Sequence, residues 1–316
     1  MNILIALKSV DEQSVLTPIG KVFNLIGFRG ALWVRGGQSV FDAFDELNPD
    51  IFLCEDSMLA DQQRQLGNGP IVKCIQERPN LITIIKTQTM NIGALGALKI
   101  IKPNLIYSND TESAIKKLYS LYSSEGLGVV SIPNAANVFD FLENTIDKTL
   151  KCDVCHVGKV IKPYDEYVNK IGYPVGRTKL KVFRAASIPL IQNLGNLTQR
   201  REGDLYRSSK ISPVFCNEQD PVPEKLFNII SSGGTACCSK NASVTELFGE
   251  DIPQFDSYDS FKRAIKNPVK NKDLRKKILN ENTCFHMVSR MLSLIGMKDL
   301  SEKCEKIYET EYHDNI

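Results

Sequence analysis

Short apolar runs alternate with helix-period segments along the first half of the chain, and this alternation predicts a parallel sheet connected by crossover helices. Strands are expected at 2–7, 31–35, 50–54, 81–86, 104–108 and 128–132, and helices at 15–27, 40–47, 70–78, 111–123 and 135–142. The glycine-rich segment 91–97 is expected to turn. Because strands joined by single helices pair through right-handed crossovers, the first half is predicted to be a Rossmann-like sheet.

The second half repeats this alternation after a polar joining segment at 143–151. Strands are expected at 153–157, 180–184, 213–216, 235–238 and 253–257, and helices at 163–170, 202–208, 243–249, 258–267 and 273–295. Ser243 is the expected N-cap of the helix at 243–249. The pattern predicts an α/β protein of two domains, 1–148 and 149–296, followed by a C-terminal helix at 297–316. A chain of 316 residues is long enough to bury two cores.

A proline, a short helix with an apolar face, a glycine pair and a small-residue strand follow one another between 220 and 239. Pro223 is expected at the first helical position, and Gly233-Gly234 is expected to end the helix. Ligands of α/β sheets collect at the carboxyl ends of strands, where helix N-termini attract phosphate. Glu224 and Lys225 stand at such an N-terminus, where lysine offers a charge to a diphosphate and glutamate accepts hydrogen bonds from a ribose. This stretch therefore predicts a nucleotide-diphosphate site.

The loop after the first strand, at 8–14, contains no glycine. A dinucleotide site needs glycines in that loop so that the backbone can approach the pyrophosphate. A dehydrogenase is therefore disfavoured, because the nucleotide signature is confined to the second half.

The order of short motifs in the second half resembles the C-terminal domain of GT-B glycosyltransferases. The motifs are Lys-Leu-Phe at 225–227, Gly-Gly at 233–234, Thr-Glu-Leu-Phe at 245–248, Phe-Asp-Ser at 255–257 and Asn-Thr-Cys-Phe-His at 282–286. They are most similar to the CgeB-like (spore-maturation-protein-B-like) group, frequent in phages and large viruses, and to the related group-1 glycosyltransferases. The resemblance covers roughly 152–296, and it covers the first half as architecture. It implies two Rossmann-like domains whose parallel sheets face a central cleft, with the acceptor on the first domain.

The resemblance implies transfer of a sugar from a nucleotide-diphosphate sugar, with a UDP-sugar as the expected donor. No tightly bound cofactor is expected, because the nucleotide sugar is a co-substrate. No metal is expected either, since helix N-termini and Lys225 can offset the diphosphate charge. The family has a glycine turn where backbone N–H groups approach the donor phosphate, and Gly158 matches that place. The expected donor-site residues are Gly158, Lys159, Arg184, Glu224, Lys225, Asn228, Gly233 and Gly234.

Group-1 glycosyltransferases carry two glutamates with seven residues between them, and this chain has a glutamate at neither position. The second of these positions falls on Asn228, and the first falls on Asp220, next to Pro221. Asn228 could still hydrogen-bond a ribose, though more weakly than a charged acceptor. The CgeB-like group often has arginine where Lys225 stands, so this chain keeps a cation and loses a two-pronged donor. These departures put the identity of the donor, and to a lesser degree activity itself, in question.

Candidate catalytic groups on the acceptor side are the carboxylates at strand ends, namely Asp11 after the first strand and Glu55 and Asp56 after the third. None of the three histidines lies in the first domain, so a general base there would have to be a carboxylate. A retaining transfer, in which the departing diphosphate takes the proton, has less need of a base and is favoured. The alternative for Glu55 and Asp56 is that they cap the next helix.

Composition and charge indicate which partners and which cellular compartment to expect. The net charge of +2 argues against a large nucleic-acid partner without excluding a local basic patch. No apolar run is long enough for a membrane span, and the N-terminal segment lacks the basic region of a signal peptide. An odd number of cysteines, nine, favours a reducing compartment. The cytoplasm is therefore expected, or the host cytoplasm if the protein is viral.

Two cysteine motifs suggest a metal or haem site. Cys152-Asp-Val-Cys-His156 matches a c-type haem attachment pattern, but it is flanked by strand residues in a chain without an export signal. Cys237 and Cys238 are adjacent, and no second pair stands at zinc-ligand spacing. Both motifs are therefore interpreted as buried strand.

Three functions are compatible with these observations. The first is a glycosyltransferase acting on an unidentified glycan, protein or modified DNA base. The second is a catalytically silent GT-B-like protein that binds a partner or a nucleotide sugar. The third is the specific case of transfer onto DNA, which would require a basic stripe facing the cleft.

Overall fold

In a computed structural model of the chain, the described residues are 1–7, 13–35, 37–63, 69–87, 92–142, 146, 150–157, 164, 166–167, 199–270 and 272–312. They form two compact units, which are Met1–Pro133 with Cys284–Glu311, and Asn134–Thr283 with the end of the chain from Tyr312. The first unit thus ends earlier than the expected boundary near residue 148. At the start of the second unit, Asn134 Nδ2 donates to the carbonyl of Val222 at 2.8 Å, inside that unit.

The first unit is built on a six-stranded sheet in which every pair of neighbouring strands is parallel. Its strands are β1 (Asn2–Leu7), β2 (Arg29–Val34), β3 (Ile51–Glu55), β4 (Ile82–Thr87), β5 (Leu105–Ser108) and β6 (Val130–Ser131), in the order β2-β1-β3-β4-β5-β6. In this register Glu55 lies opposite Lys86, and Lys86 lies opposite Tyr107. The predicted parallel, Rossmann-like sheet is confirmed.

Seven helices of the first unit connect these strands within the described residues. They are α1 (Gln13–Leu25), α2 (Val40–Leu47), α3 (Asp56–Gln63), α4 (Pro70–Gln76), α5 (Ile92–Ile101), α6 (Glu112–Leu118) and α7 (Ser120–Ser124). The turn expected at 91–97 is wrong, since α5 occupies that segment. Ala94, Ala97 and Leu98 form a buried helical face there, and this burial outweighs the preference of two glycines for a turn.

The second unit is built on a four-stranded parallel sheet in the order β10-β9-β8-β7. Its strands are β7 (Cys152–Val154), β8 (Ser209–Val214), β9 (Ala236–Ser239) and β10 (Gln254–Phe255), and its helices are α8 (Val138–Phe141), α9 (Gln199–Ser208), α10 (Glu224–Ser231), α11 (Ala242–Phe248), α12 (Tyr258–Lys266) and α13 (Lys272–Glu281). The expected strand at 180–184 and most of the expected helix at 163–170 lie outside the described residues.

The long helix expected at 273–295 is divided into α13 and α14 (Cys284–Leu294), and α15 (Lys298–Glu311) follows. The break falls at Asn282 and Thr283, where the carbonyl of Asn282 accepts a hydrogen bond from the N–H of Ala136 at 2.8 Å. After the break, α14 and α15 belong to the first unit, where Lys303 Nζ donates to the carbonyl of Ile26 at 2.8 Å.

The sheet of the second unit is buried on both faces, which explains its small and apolar strands. Adjacent Cys237 and Cys238 belong to different buried clusters, one with Phe255 and Phe261 and the other with Phe227. All nine cysteines are buried and free, in agreement with the expectation of no disulfide framework. His156 packs its ring against Phe215 and has Nδ1 2.9 Å from the carbonyl of Pro213.

The start of α11 differs from the expectation. The N-cap of α11 is Asn241, not Ser243, because the Asn241 side chain accepts a hydrogen bond from the N–H of Val244 at 2.8 Å, and Ser243 is buried inside the helix. Within the described ranges, no helix combines the length and apolar character that crossing a bilayer requires.

We expect Gly234→Ala to destabilise the protein by about 1–3 kcal/mol, because a methyl group there overpacks the junction of α10 and β9. Its Cβ would lie 2.9 Å from the carbonyl oxygen of Ile229 and 3.0 Å from that of Tyr206. Gly128→Ala is the matched control, since a Cβ at Gly128 meets no atom within 4 Å. Urea denaturation of both variants measures the difference, and equal stabilities would contradict the packing argument.

Candidate functional site

The N-terminus of α10 follows β8 at the carboxyl edge of the second sheet, which is where α/β proteins place ligands. Pro223 lies at the N-cap with φ −62° and ψ 131°, one residue before the first helical position at which it was expected. It provides no side-chain cap, so this helix begins without the hydrogen bond that Ser, Thr, Asp or Asn would supply.

Lys225, in the first turn of α10, is partly buried, and its amine contacts the main chain just beyond a neighbouring strand. Its Nζ donates a short hydrogen bond to the carbonyl of Val157, just beyond β7. Burial lowers the pKa of Lys225 below its ordinary value, while the carboxylates of Glu202 and Glu224 oppose that change. The structure therefore places a cation at the predicted position and holds it against a backbone oxygen.

Glu224 and Asn228 are joined to each other one turn apart on α10. Asn228 Nδ2 lies 3.3 Å from Glu224 Oε1, and Asn228 Oδ1 accepts a hydrogen bond from the N–H of Asn137 at 3.0 Å. Asn137 is the N-cap of α8, so the buried carboxamide of Asn228 serves the contact between α10 and α8. Glu224 and Asn228 are therefore in contact, and Asn228 uses both ends of its amide inside the unit.

Two residues near Lys225 were missed by sequence reasoning. Glu202 and Tyr206 are one turn apart on α9, and the Tyr206 hydroxyl donates a short hydrogen bond to Glu202 Oε1. Burial, followed by the nearby Glu202, raises the pKa of Tyr206 well above its ordinary value. A Glu-x-x-x-Tyr spacing on a polar helix was the available signal, but it is common on solvated helices. We call Glu202, Tyr206, Glu224, Lys225 and Asn228 the Lys225 cluster.

The glycine pair Gly233 and Gly234 lies at the opposite end of α10 from Lys225. An α-helix rises about 1.5 Å per residue, so the eight residues of α10 separate the two ends by roughly 12 Å. Gly233 adopts φ +80° in the turn after the helix, and Gly234 is confined by the carbonyl oxygens of Ile229 and Tyr206. Both glycines thus form the turn into β9, and the structure does not bring them to the Lys225 cluster.

Four of the expected site residues, Asp11, Gly158, Lys159 and Arg184, lie outside the described residues. Gly158 directly follows Val157, whose carbonyl binds Lys225. In the part of the chain that the structure describes, no group of three or more His, Cys, Asp or Glu residues is placed to hold a metal ion.

Glu55 and Asp56, the carboxylates expected on the acceptor side, lie at the carboxyl end of β3. Glu55 Oε1 is 3.4 Å from Lys86 Nζ, and both side chains are buried or nearly so. Asp56 begins α3 and is 4% exposed. Its Oδ2 accepts hydrogen bonds from Thr87 Oγ1 at 2.6 Å and from the Tyr122 hydroxyl at 3.3 Å. Both carboxylates therefore have partners inside the first unit, and Asp56 stands in the first turn of the next helix.

Burial raises the pKa of Asp56 to about 6, against the lowering effect of its hydrogen bonds from Thr87 and Tyr122. The unfolded value is 3.8, so ionisation of Asp56 costs the folded state stability as the pH rises from about 4 to about 6. A shift of this size corresponds to about 3 kcal/mol.

We therefore expect Asp56→Asn to be more stable than the wild type at pH 7.5, and to lose this advantage at pH 4. The exposed Asp42→Asn is the control and should leave the pH dependence of stability unchanged. Thermal denaturation between pH 4 and pH 8 measures the effect. If the stabilities of the wild type and of Asp56→Asn changed with pH in the same way, burial would not raise the pKa of Asp56.

No protein-family model matches the sequence, and no curated protein matches it at a significant level. Among solved structures, the chain is similar to sucrose-phosphate synthase from Thermosynechococcus elongatus, with a TM-score of 0.56 and 9% identity over 99% of this chain and 100% of that one. It is also similar to a glycosyltransferase from Rickettsia africae, with a TM-score of 0.53 and 10% identity over 98% of this chain and 97% of that one. Identities this low establish the fold alone, and the fold is the α/β GT-B fold of glycosyltransferases.

Proposed function

We propose that the protein is a glycosyltransferase that moves a sugar from a nucleoside-diphosphate sugar to an acceptor, with the Lys225 cluster as its diphosphate-binding site. The observation that carries this proposal is a partly buried lysine at the first turn of a helix that follows a parallel strand, in a chain whose whole length matches glycosyltransferase structures. Buried cations at such helix N-termini suit diphosphate, because charge and backbone N–H groups act together.

The residues of the cluster can perform distinct parts of this task. Lys225 would exchange its hydrogen bond with the Val157 carbonyl for one with a phosphate oxygen, and it would offset the charge that develops on the departing diphosphate. Glu224 would accept hydrogen bonds from a ribose diol, since its carboxylate already lies within reach of the Asn228 amide. Such support of the leaving group suits a retaining transfer without a metal, with a UDP-sugar as the first donor to test.

A second candidate function is favoured by Asn228. The group-1 enzymes that the sequence resembles have a glutamate at this position, whereas the carboxamide here is bonded to Asn137 and Glu224. An amide bonded in this way supports the contact between α8 and α10, and its oxygen already accepts one hydrogen bond inside the unit. This favours a catalytically silent protein that binds a nucleotide sugar or a partner without turnover.

We expect one nucleoside diphosphate to raise the thermal midpoint of the wild type, and Lys225→Met to abolish this shift while still folding. A nucleotide concentration of a hundred times its dissociation constant would stabilise the folded protein by about 2.7 kcal/mol. Lys210→Met is the matched control, because Lys210 is an exposed lysine of the same unit paired with Asp153 at 2.6 Å. A thermal-shift screen of nucleoside diphosphates and nucleotide sugars makes the measurement. No shift with any of them would contradict the proposed site.

Turnover separates the two candidate functions. We expect the enzyme to release nucleoside diphosphate slowly from the donor that binds, because water competes as acceptor when none is supplied. Lys225→Met should reduce this release to background, and Lys210→Met should not change it. A coupled assay for nucleoside diphosphate detects the release. Tight binding without any release, even with glycan, protein or duplex-DNA acceptors added, would favour the silent binding protein.

A further inference from the structure

Residues 262–277, which run from α12 through the turn that follows it into α13, are strongly basic. They contain eight Lys or Arg residues and one Asp, a net charge of +7 in a chain whose net charge is +2. The rest of the chain is therefore net acidic, and its excess of positive charge is concentrated in one stretch. The proposed function gives these residues no role. We call residues 262–277 the basic segment.

Most cations of the basic segment have no partner inside the protein. Seven of the eight are exposed, and none of these seven pairs with a carboxylate in the part of the chain that the structure describes. They are Lys262, Arg263, Lys266, Lys270, Lys272, Lys276 and Lys277. Two pairs of lysines stand four residues apart on their helices, an arrangement in which like charges repel each other. A basic surface without internal partners is typical of a site for an external polyanion.

The start of α13 reinforces the positive potential of the basic segment. The first backbone N–H groups of a helix have no partner inside it and carry a partial positive charge. Lys272 stands in this first turn, beside Asp273. A cation there opposes the helix dipole and lowers the stability of the helix. Lysine at this position therefore serves an external anion better than it serves the helix.

The basic segment lies at the amino edge of the second sheet, where the strands begin. Val269 lines a small cavity with Gly234 and Thr235, which directly precede β9. Arg275 Nε donates to the carbonyl of Ser231, the last residue of α10, at 3.0 Å. The Lys225 cluster lies at the other end of α10, at the carboxyl edge of the sheet. The basic segment is therefore not the stripe beside the donor site that glycosyl transfer onto DNA would require.

The composition of the basic segment favours an anionic lipid surface over a nucleic acid. Six of its eight cations are lysines, and it contains no aromatic residue on which a base could stack. Lysine binds as a point charge, whereas arginine suits the two-pronged contacts of nucleic acid. Val269 stands between Lys266 and Lys270 and is 57% exposed. An exposed apolar side chain among lysines is placed to enter the headgroup region of a bilayer.

We propose that the basic segment binds the surface of an anionic lipid bilayer through its exposed lysines and the side chain of Val269. Acidic headgroups attract the lysines, and insertion of Val269 adds apolar contact. Because the segment lies at the amino edge of the second sheet, the Lys225 cluster at the carboxyl edge of the same sheet stays away from the lipid. The inference does not depend on the proposed function.

The test is flotation of the protein with phosphatidylcholine vesicles that contain either no phosphatidylserine or about 30% of it. We expect binding to the acidic vesicles alone, and its loss when the salt concentration rises from about 50 mM to about 500 mM. A variant that loses four lysines of the basic segment should bind at least about a hundredfold more weakly, since each lysine contributes roughly fivefold. Its substitutions are Lys266→Gln, Lys270→Gln, Lys272→Gln and Lys276→Gln.

A control variant loses four exposed lysines of the first unit, so that both variants have the same net charge. Its substitutions are Lys73→Gln, Lys102→Gln, Lys116→Gln and Lys117→Gln. This variant should bind acidic vesicles as tightly as the wild type does. Equal weakening in the two variants would show that net charge alone governs binding, which would overturn the proposal. A wild type that does not bind acidic vesicles at low salt would overturn it as well.

Val269→Ser separates a bilayer from a nucleic acid as the partner. It keeps every charge, so it should weaken binding to acidic vesicles several-fold through the loss of apolar contact. Ile92→Ser, at a 67% exposed side chain of the first unit, is the matched control and should change nothing. Fluorescence anisotropy with duplex DNA and RNA provides the comparison. Tighter binding to a duplex than to vesicles, lost without the four lysines and unchanged in Val269→Ser, would make a nucleic acid the partner and refute the proposal.

Discussion

The hydrogen bond from the Lys225 amine to the backbone after β7 is the interaction on which the candidate site of the second unit depends. The carbonyl of Val157 accepts a hydrogen bond from Lys225, and the carboxylates of Glu202 and Glu224 oppose the lowering of the lysine pKa by burial. Each partner comes from a different element, so β7, α9 and α10 must pack in register for the amine to be tolerated. The Tyr206 ring, stacked on Phe141, extends the same requirement to α8. The packing of these elements therefore determines the surroundings of the Lys225 amine.

In the first unit, the carboxylates at the strand ends have partners within the protein. Its parallel strands also collect polar groups at their carboxyl edge, but Glu55 is paired with Lys86, and Asp56 accepts from Thr87 and Tyr122. A nearby Asp110 accepts from Ser108 and Tyr119 in the same way. These carboxylates hold strands and helices together, which argues against treating every acidic residue at a strand end as a catalyst. The parallel sheet determines where polar groups gather, and their partners determine whether they are available.

Much of the fold could be predicted from the sequence, because strands such as β1 and helices such as α2 carry strong local patterns. Predictions failed where a tertiary contact outweighed local preference. One example is the single long helix expected at 273–295, which is interrupted between α13 and α14 where the Asn282 carbonyl accepts a hydrogen bond from the Ala136 N–H. The site was predicted in part, since Glu224 and Lys225 are neighbours in sequence. Glu202 could not be found in this way, because its relation to Lys225 arises from the packing of α9 on α10.

The glycine pair shows why proximity in sequence is a poor guide to a site that contains a helix. Gly233 and Gly234 follow Lys225 by two turns, and those two turns carry them to the far end of α10 and to the start of β9. The carbonyl oxygens of Ile229 and Tyr206 lie so close to Gly234 that a Cβ would not fit there. The space beside this glycine is therefore filled by the protein and is not open to a ligand. Besides the N-terminus of α10 itself, one other element of the described chain has backbone in contact with the Lys225 amine. That element is the end of β7, where Val157 accepts from Lys225 and Gly158 follows in the sequence.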